Sequence, residues 1–510
     1  MKSRTSKAIT NALWTGIATL LTFPIQFVNR YYMVRYLGII YLGITSLYSN
    51  ILSILSLADL GIGTAITFLL YEPLQKKNWQ TLSIVMNLYK KIYRYIATII
   101  LLLGIVVIPF LKLFLKSSIS YPNVYLLYIV YLFGTVSSYL FSYNQSLLYA
   151  DQNAHIVSII TLVINYLMVI IQVTTLLIFR NPIVYALLFV FNQFIANCVI
   201  SIYVKKKYPG LTKCHRKIGL ESKNILKDNV IGNMFLRIGG VVVTGTDNLF
   251  LSIFTNVVQV GLYTNYLTIT SSLQRFMTQM IGAVTGSIGN FSVVKTRHES
   301  AELFQNLQFI NFIIVSMASL AIVFLSSEFI TLWLGSKYVL SHFNVILIGL
   351  SFFFMNYRMI GWNFISVYAL APRMKLFAIN EMVANIVFSF IFLKVFSLGL
   401  TGVLLGTIFS TLLTVGWQDP YIIFKYGFNI SPKPYFLRYL LNIIILLVEL
   451  VTVEILKYVL LQVIVSKVIM FIILVPIIIL ICILVPLIFY HNSAELQYTT
   501  NLLKSLLKMG

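Results

Sequence analysis

Three arginines, Arg237, Arg275 and Arg358, stand inside apolar stretches long enough to cross a bilayer, and their placement is the strongest chemical signal in the chain. A guanidinium near the bilayer centre costs at least ~2.5 kcal/mol on insertion scales, so each must face a watery cavity or a fixed partner. Its planar fork of donors matches phosphate oxygens, so a cavity lined by such groups suits an anionic ligand. The alternative is an ion pair within the protein, for which Asp59, Asp247 and Glu381 are the available acids. Arg30 and Arg35 close the first apolar stretch, where snorkelling to the interface competes with lining an exit.

Asp59 and Glu381 are candidates for a proton or cation coupling site, because a carboxylate in a low-dielectric lumen can titrate near neutrality. Simple pairing with an arginine is the competing reading. Asp247, followed by Asn248, is placed to organise a gate. The five histidines, His155, His215, His298, His342 and His491, fall at loops or helix ends with no metal-ligand spacing. The cysteines, Cys198, Cys214 and Cys482, suggest no disulfide framework. No catalytic constellation, cofactor motif or metal set is visible, and the sequence is not read as an enzyme.

The elements that carry these residues are membrane helices. With 59% hydrophobic and 10% charged residues in 510, the chain lies far from the soluble norm of about 25% charged. About fourteen segments approach the ~20 apolar residues that a crossing needs: 11–34, 41–70, 92–114, 123–148, 154–179, 183–204, 231–254, 258–290, 307–326, 342–369, 376–396, 399–418, 437–458 and 467–490. The net charge of +23 raises nucleic acid as a partner, but orientation accounts for it. With both termini in the cytoplasm, about 25 Lys and Arg fall inside and about 9 outside, a strong positive-inside bias. The densest basic run, 205–227, reads as a topogenic signal near anionic lipid, with a dedicated binding site as the alternative. Residues 1–7 are basic, but the apolar run behind them exceeds a signal peptide's core and reads as a retained first helix.

A shift of 218 residues reveals an internal repeat. Asn11, Thr15, Thr19, Thr22, Gln26, Asn29 and Arg30 map onto Asn229, Asn233, Arg237, Gly240, Thr244, Asp247 and Asn248. Steps of three and four hold each set on one helical face. Gly43 and Tyr48 likewise oppose Gly261 and Tyr266. The shift covers six helices, an even number, so the repeat is parallel rather than inverted. The expected architecture is all-α: an N-terminal six-helix lobe over 1–204, a basic cytoplasmic linker over 205–230, a second six-helix lobe over 231–420, and two further helices with a cytoplasmic tail over 421–510. Repeated polar faces point to a hydrated central lumen, although Thr, Ser, Asn and Gly also enrich ordinary helix contacts in membranes. The second stretch adds Thr45, Ser49, Ser56, Asp59 and Gly63 to such a face. Pro24 interrupts the first stripe and predicts a bend there. Tyr143 and Trp362, at matching repeat positions, are candidates to stack on sugar rings, with lipid-facing bulk as the alternative.

These motifs resemble those of a polysaccharide repeat-unit flippase of the multidrug/oligosaccharidyl-lipid/polysaccharide exporter superfamily. The resemblance is carried by Leu37-Gly38 through Tyr41-Leu42-Gly43, Leu57-Ala58-Asp59-Leu60-Gly61-Ile62-Gly63, Leu148-Tyr149-Ala150-Asp151, Thr246-Asp247-Asn248 and Gly261-Leu262-Tyr263, in that order along nearly the whole chain. It implies fourteen helices in two lobes around a cavity open alternately to either side of a bacterial cell membrane. It further implies a substrate made of undecaprenyl-diphosphate-linked oligosaccharide for capsule or exopolysaccharide synthesis. The cationic-cavity role carried over falls on Arg237, Arg275 and Arg358 and on Arg30, while Thr244 and Asn248 join the substrate-cavity candidates from the repeated polar face. Partners are then that lipid-linked sugar, membrane lipid, a coupling ion (H+ or Na+) and polysaccharide assembly proteins, with no nucleic acid. A drug/cation antiporter of the same superfamily, which wants acids rather than arginines in its cavity, is the runner-up. A membrane repeat-unit polymerase is disfavoured because no outside loop exceeds about twenty residues. An assembly subunit would not need the repeated polar face.

Overall fold

The computed structural model describes residues 4–59, 62–115, 121–211, 245–463 and 466–509, and among them every regular element is helical. Eleven helical stretches there are long and apolar enough to cross a membrane. The first helix, α1 (Arg4–Leu55, 52 residues), extends over about 78 Å at 1.5 Å per residue, enough for two crossings of ~30 Å. Its backbone leaves helical geometry at Gly38 (φ 85°, ψ 171°), between the first two predicted spans. A side chain there would be strained, and the chain uses glycine. The bend expected at Pro24 is not where the dihedral break falls; Pro24 lies within α1, and the break is fourteen residues further on.

The second predicted span, 41–70, divides in two. The helix ends at Leu55, a 3₁₀ turn covers Ser56–Asp59, and α2 (Ile62–Gln75) follows. Next come α3 (Trp79–Val107), the short α4 (Leu111–Leu115), α5 (Val124–Ala150), α6 (Ala154–Phe179), α7 (Pro182–Lys207) and α8 (residues 245–254). Asn78 accepts from the Thr81 amide at 3.0 Å and starts α3 well before residue 92, where apolarity alone would begin it. Polar residues at the membrane surface thus lengthen the helices beyond their apolar cores.

The remaining long elements are α9 (Val257–Val294), α10 (Arg297–Trp333), α11 (His342–Tyr357), α12 (Met359–Val367), α13 (Lys375–Phe390), α14 (Leu400–Leu413), α15 (Val415–Ile422), α16 (Lys433–Val463), α17 (Lys467–Phe489) and α18 (Ala494–Met509). A capping box starts α10: Thr296 accepts from the Glu299 amide, and Glu299 accepts from the Thr296 amide at 2.9 Å.

The helices form two compact units, Met1–Thr264 and Asn265–Gly510, so the boundary falls inside α9. The linker anticipated over 205–230 lies outside the described residues from 212 onward. In the first unit α5 packs on α3 and α7, and α1 packs on α6. In the second, α10 packs on α11 and α17, α14 on α11 and α13, and α16 on α17. Phe304 of α10 makes ring contacts with Phe364, Phe424, Phe428 and Tyr435 at the centre of one such junction.

One contact within the first unit carries the repeat into three dimensions. A Cβ on Gly43 would overlap the Val257 carbonyl, and a Cβ on Gly261 would overlap that of Ile39. Both aligned pairs, Gly43/Gly261 and Ile39/Val257, are 218 residues apart, so each glycine meets the repeat mate of the residue its own mate meets. Backbones this close require glycine on both sides.

Candidate functional site

The first unit holds an open cavity of about 630 Å³, in the range of small-molecule sites. Two helical stripes build it. From α1 and the turn after it come Ser49, Ser53, Ser56 and Asp59, and from α5 come Tyr131, Thr135, Ser138, Ser142 and Gln145. The α5 set steps by four, three, four and three, which keeps it on one face. Tyr139 of α5, Tyr93 of α3, Asn165 of α6, and Asn192 and Gln193 of α7 complete the polar lining.

Local bonding makes these groups tolerable at membrane depth. Ser49 donates to the Thr45 carbonyl (2.8 Å), Ser56 to that of Leu52 (2.7 Å) and Ser138 to that of Thr135 (2.7 Å). Each hydroxyl has its proton satisfied by its own helix while its oxygen can still accept. The amides pair across helices: Asn192 donates to Asn165 and Gln145 donates to Asn197, each at 2.5 Å. Asp59 is the one charged group among the described lining residues, and it lies in the Ser56–Asp59 turn rather than in a helix.

The stripe predicted on the first crossing does different work. Thr19 and Thr22 donate to the Thr15 and Ala18 carbonyls, Asn29 donates to Gln172 of α6 (3.1 Å), and Tyr185 of α7 donates to Asn29 (2.9 Å). At Asn29 the face is a helix–helix seam, and the expectation that the whole stripe lines a lumen is corrected to packing there. The second crossing's stripe, through Ser49, Ser56 and Asp59, is the one that reaches the cavity.

The arginines separate. Arg237 and Thr244 lie outside the described residues. Arg30 is half-buried on α1, with one guanidinium nitrogen, Nη1, buried and without a hydrogen-bond partner, in electrostatic reach of Tyr131 and Tyr185. Arg275 is exposed on α9. Neither is among the residues that line the cavity. Asp247 and Asn248 are buried on α8, the Asn248 side-chain oxygen Oδ1 without a hydrogen-bond partner.

Arg358 is held in a cluster in the second unit. It stands at the break between α11 and α12, 11% exposed at its side chain. Its Nη1 donates to Glu381 of α13 at 3.0 Å, and its Nε and Nη2 meet Asp419 of α15 at 2.8 and 2.7 Å. Trp362 lies against the guanidinium, 5.3 Å from ring centroid to carbon, with part of its ring exposed. Of the pairings weighed from sequence, Glu381 is the acid found, and Asp419 adds a second. With both acids ionised the cluster carries one net negative charge. Asp419 follows the last residue of the predicted twelfth span and precedes Pro420, so it reads as a loop acid in sequence; α15 carries it into the buried core. Tyr143, the other stacking candidate, packs toward Tyr89 at 6.5 Å and is not in the cavity lining.

The chain matches the profile of a family described as polysaccharide biosynthesis protein over residues 8–285. No curated protein sequence matches it. An inward-facing multidrug resistance MATE family transporter of the MOP superfamily superimposes with a TM-score of 0.62 at 14% identity, over 78% of this chain and 96% of that one. Lipid II flippase MurJ in an inward closed conformation gives 0.61 at 14% identity, over 94% and 99%. At that identity the likeness shows the fold, which is the one the motif resemblance implied. Since the profile covers more than half of the chain, this multi-pass membrane protein belongs to the polysaccharide biosynthesis protein family.

Proposed function

We propose that the protein is a flippase that moves an undecaprenyl-diphosphate-linked oligosaccharide repeat unit from the cytoplasmic to the outer leaflet of a bacterial plasma membrane, by alternating access, for capsule or exopolysaccharide synthesis. The observation that carries this reading is the 630 Å³ cavity in a membrane-embedded helical unit, lined by hydroxyls, amides and tyrosines. Sugars present hydroxyls that both donate and accept, and such a lining answers them while aromatic faces cover their apolar sides. Lipid II flippase MurJ, named for a lipid-linked cargo, shares the fold over 94% of this chain.

In this reading the diphosphate is met by guanidinium groups with donors to spare. Arg30 and Arg275 fit that role, and Arg237, Thr244 and Asn248 keep the roles their repeat positions suggest. Arg358 acts as a lock instead, because two carboxylates already occupy its fork. Glu381 with Asp419, and Asp59 with Asp247, are the acids through which H+ or Na+ would bias the cycle. One charge moved through 100 mV supplies ~2.3 kcal/mol.

A drug/cation antiporter is the second reading, favoured by the acid in the cavity lining. Reconstitution in vesicles separates the two. A labelled undecaprenyl-diphosphate oligosaccharide should appear in the opposite leaflet unchanged in length and undiminished by excess cationic drug; efflux of the drug with no lipid movement would sink the flippase reading.

A further inference from the structure

Several polar residues of α16 hold it to its neighbours. Asn442 donates to the Tyr357 hydroxyl and accepts from that of Tyr490, both at 2.8 Å. Arg438 meets Glu495 at 3.1 Å, Glu454 meets His342 at 3.2 Å and Lys457 meets Glu328 at 3.6 Å. Glu449, near the middle of the same helix, is fully buried (0% exposed), and neither of its carboxyl oxygens has a hydrogen-bond partner.

The groups that face it are neutral. Ser316 of α10 has its hydroxyl proton committed to the Ile313 carbonyl at 3.1 Å. Cys482 of α17, itself fully buried, is the other neighbour. Glu328 with Lys457, His342 with Glu454 and Arg438 with Glu495 pair toward the two ends of α16, while Arg297, His298, Glu299 and Glu302 lie in the first two turns of α10 and Lys433 and Lys467 open α16 and α17.

A carboxylate in that position would be an unpaired buried charge, which costs far more than a neutral carboxyl. We propose that Glu449 is a proton-binding site: it carries a proton in this conformation, and that proton keeps α16 and α17 seated on α10. Ionisation would place a bare charge in an apolar three-helix seam and loosen it. The site is separate from the Arg358 cluster and does not depend on what the protein transports. The sign follows from linkage: the seated state binds the proton more tightly than the loosened one, so seating is firm at low pH and lost as pH rises through the site's titration.

Infrared difference spectra of the full-length protein in lipid vesicles at neutral pH, wild type against Glu449→Gln, test this. A protonated-carboxyl stretch should be present in the wild type and missing from the variant; loss of a carboxylate band instead would overturn the proposal. If Glu449→Gln does not accumulate, Glu449→Asp keeps a carboxyl and should shift the same protonated band, and an unshifted spectrum would overturn it equally. Thermal melting should fall with rising pH in the wild type and stay flat in Glu449→Gln. Parallel curves for the two proteins would refute the link between the proton and helix seating.

Discussion

The two units handle polarity inside a membrane in opposite ways. In the first, apart from Asp59 the polar lining of the cavity is neutral hydroxyls and amides, many bonded to a carbonyl of their own helix or to one another, and any one of these can be lost without stranding a charge. In the second, Arg358 is paired with both Glu381 and Asp419, so removing it leaves two buried carboxylates without their cation. A neutral lining is tolerant and can exchange its partners for those of a ligand. An ion cluster is close to all-or-none, and suits a structural lock.

The sharpest way to break this contrast is Arg358→Ala. It leaves two buried carboxylates without their cation and should cost about 3–5 kcal/mol, read as a large drop in membrane accumulation and melting temperature. Adding Glu381→Gln and Asp419→Asn should restore much of the loss. Wild-type accumulation of Arg358→Ala alone would show that the cluster is hydrated and the lock reading wrong. Next in size is Gly43→Val, where a side chain would enter the Val257 carbonyl; about 1–3 kcal/mol or more of overpacking is expected, and Gly261→Val should behave alike because of the repeat. If either valine variant melts like the wild type, the reciprocal backbone contact is not what holds α1 to α9.

Arg275→Ala sharpens the contrast from the other side. An exposed guanidinium outside any ion pair among the described residues should be dispensable for stability. Its loss from a diphosphate should cost about 1.5–3 kcal/mol of binding, or about 10- to 100-fold in transport at limiting substrate. Arg275→Lys should fall between, since the charge stays and the fork goes. Full transport by Arg275→Ala would remove this residue from the substrate site.

Much of this was legible because composition and apolar run length dictate a helical membrane protein, and because the repeat leaves glycines at matched positions. The two-crossing reading of α1 survives as a break at Gly38, for which positive φ supplies a reason the apolar pattern does not. What hydropathy cannot show is which polar face meets a neighbour and which meets space. Asn29 and Ser49 look equivalent by spacing, yet Gln172 and Tyr185 close over the first while the second stays open to the cavity. Asp419 and Glu449 were missed for related reasons. One abuts a proline at the edge of an apolar run, and the other, five residues before Glu454, lies inside a run whose apolarity hides it. The α5 stripe from Tyr131 to Gln145 had a signal, the same steps of three and four that drew attention to α1, but without a charge it resembles an ordinary helix contact.

That stripe gives the smallest effect and the most direct test of a neutral lining. Ser138 and Ser142 stand one turn apart in the cavity wall. Ser138 spends its proton on the Thr135 carbonyl, so Ser138→Ala removes an acceptor from the cavity and strands no buried charge. Stability should therefore move by no more than about 0.5 kcal/mol for either alanine variant. Each hydroxyl lost to a sugar should cost about 0.5–1.5 kcal/mol, so the apparent KM for lipid-linked oligosaccharide should rise about 2- to 10-fold with the maximal rate nearly unchanged. The double variant should give roughly the product of the two factors if both groups touch substrate independently. A lower melting temperature with an unchanged KM would mean that these hydroxyls serve helix packing, as Asn29 does, and the distinction between the two units would reduce to how each is stitched together.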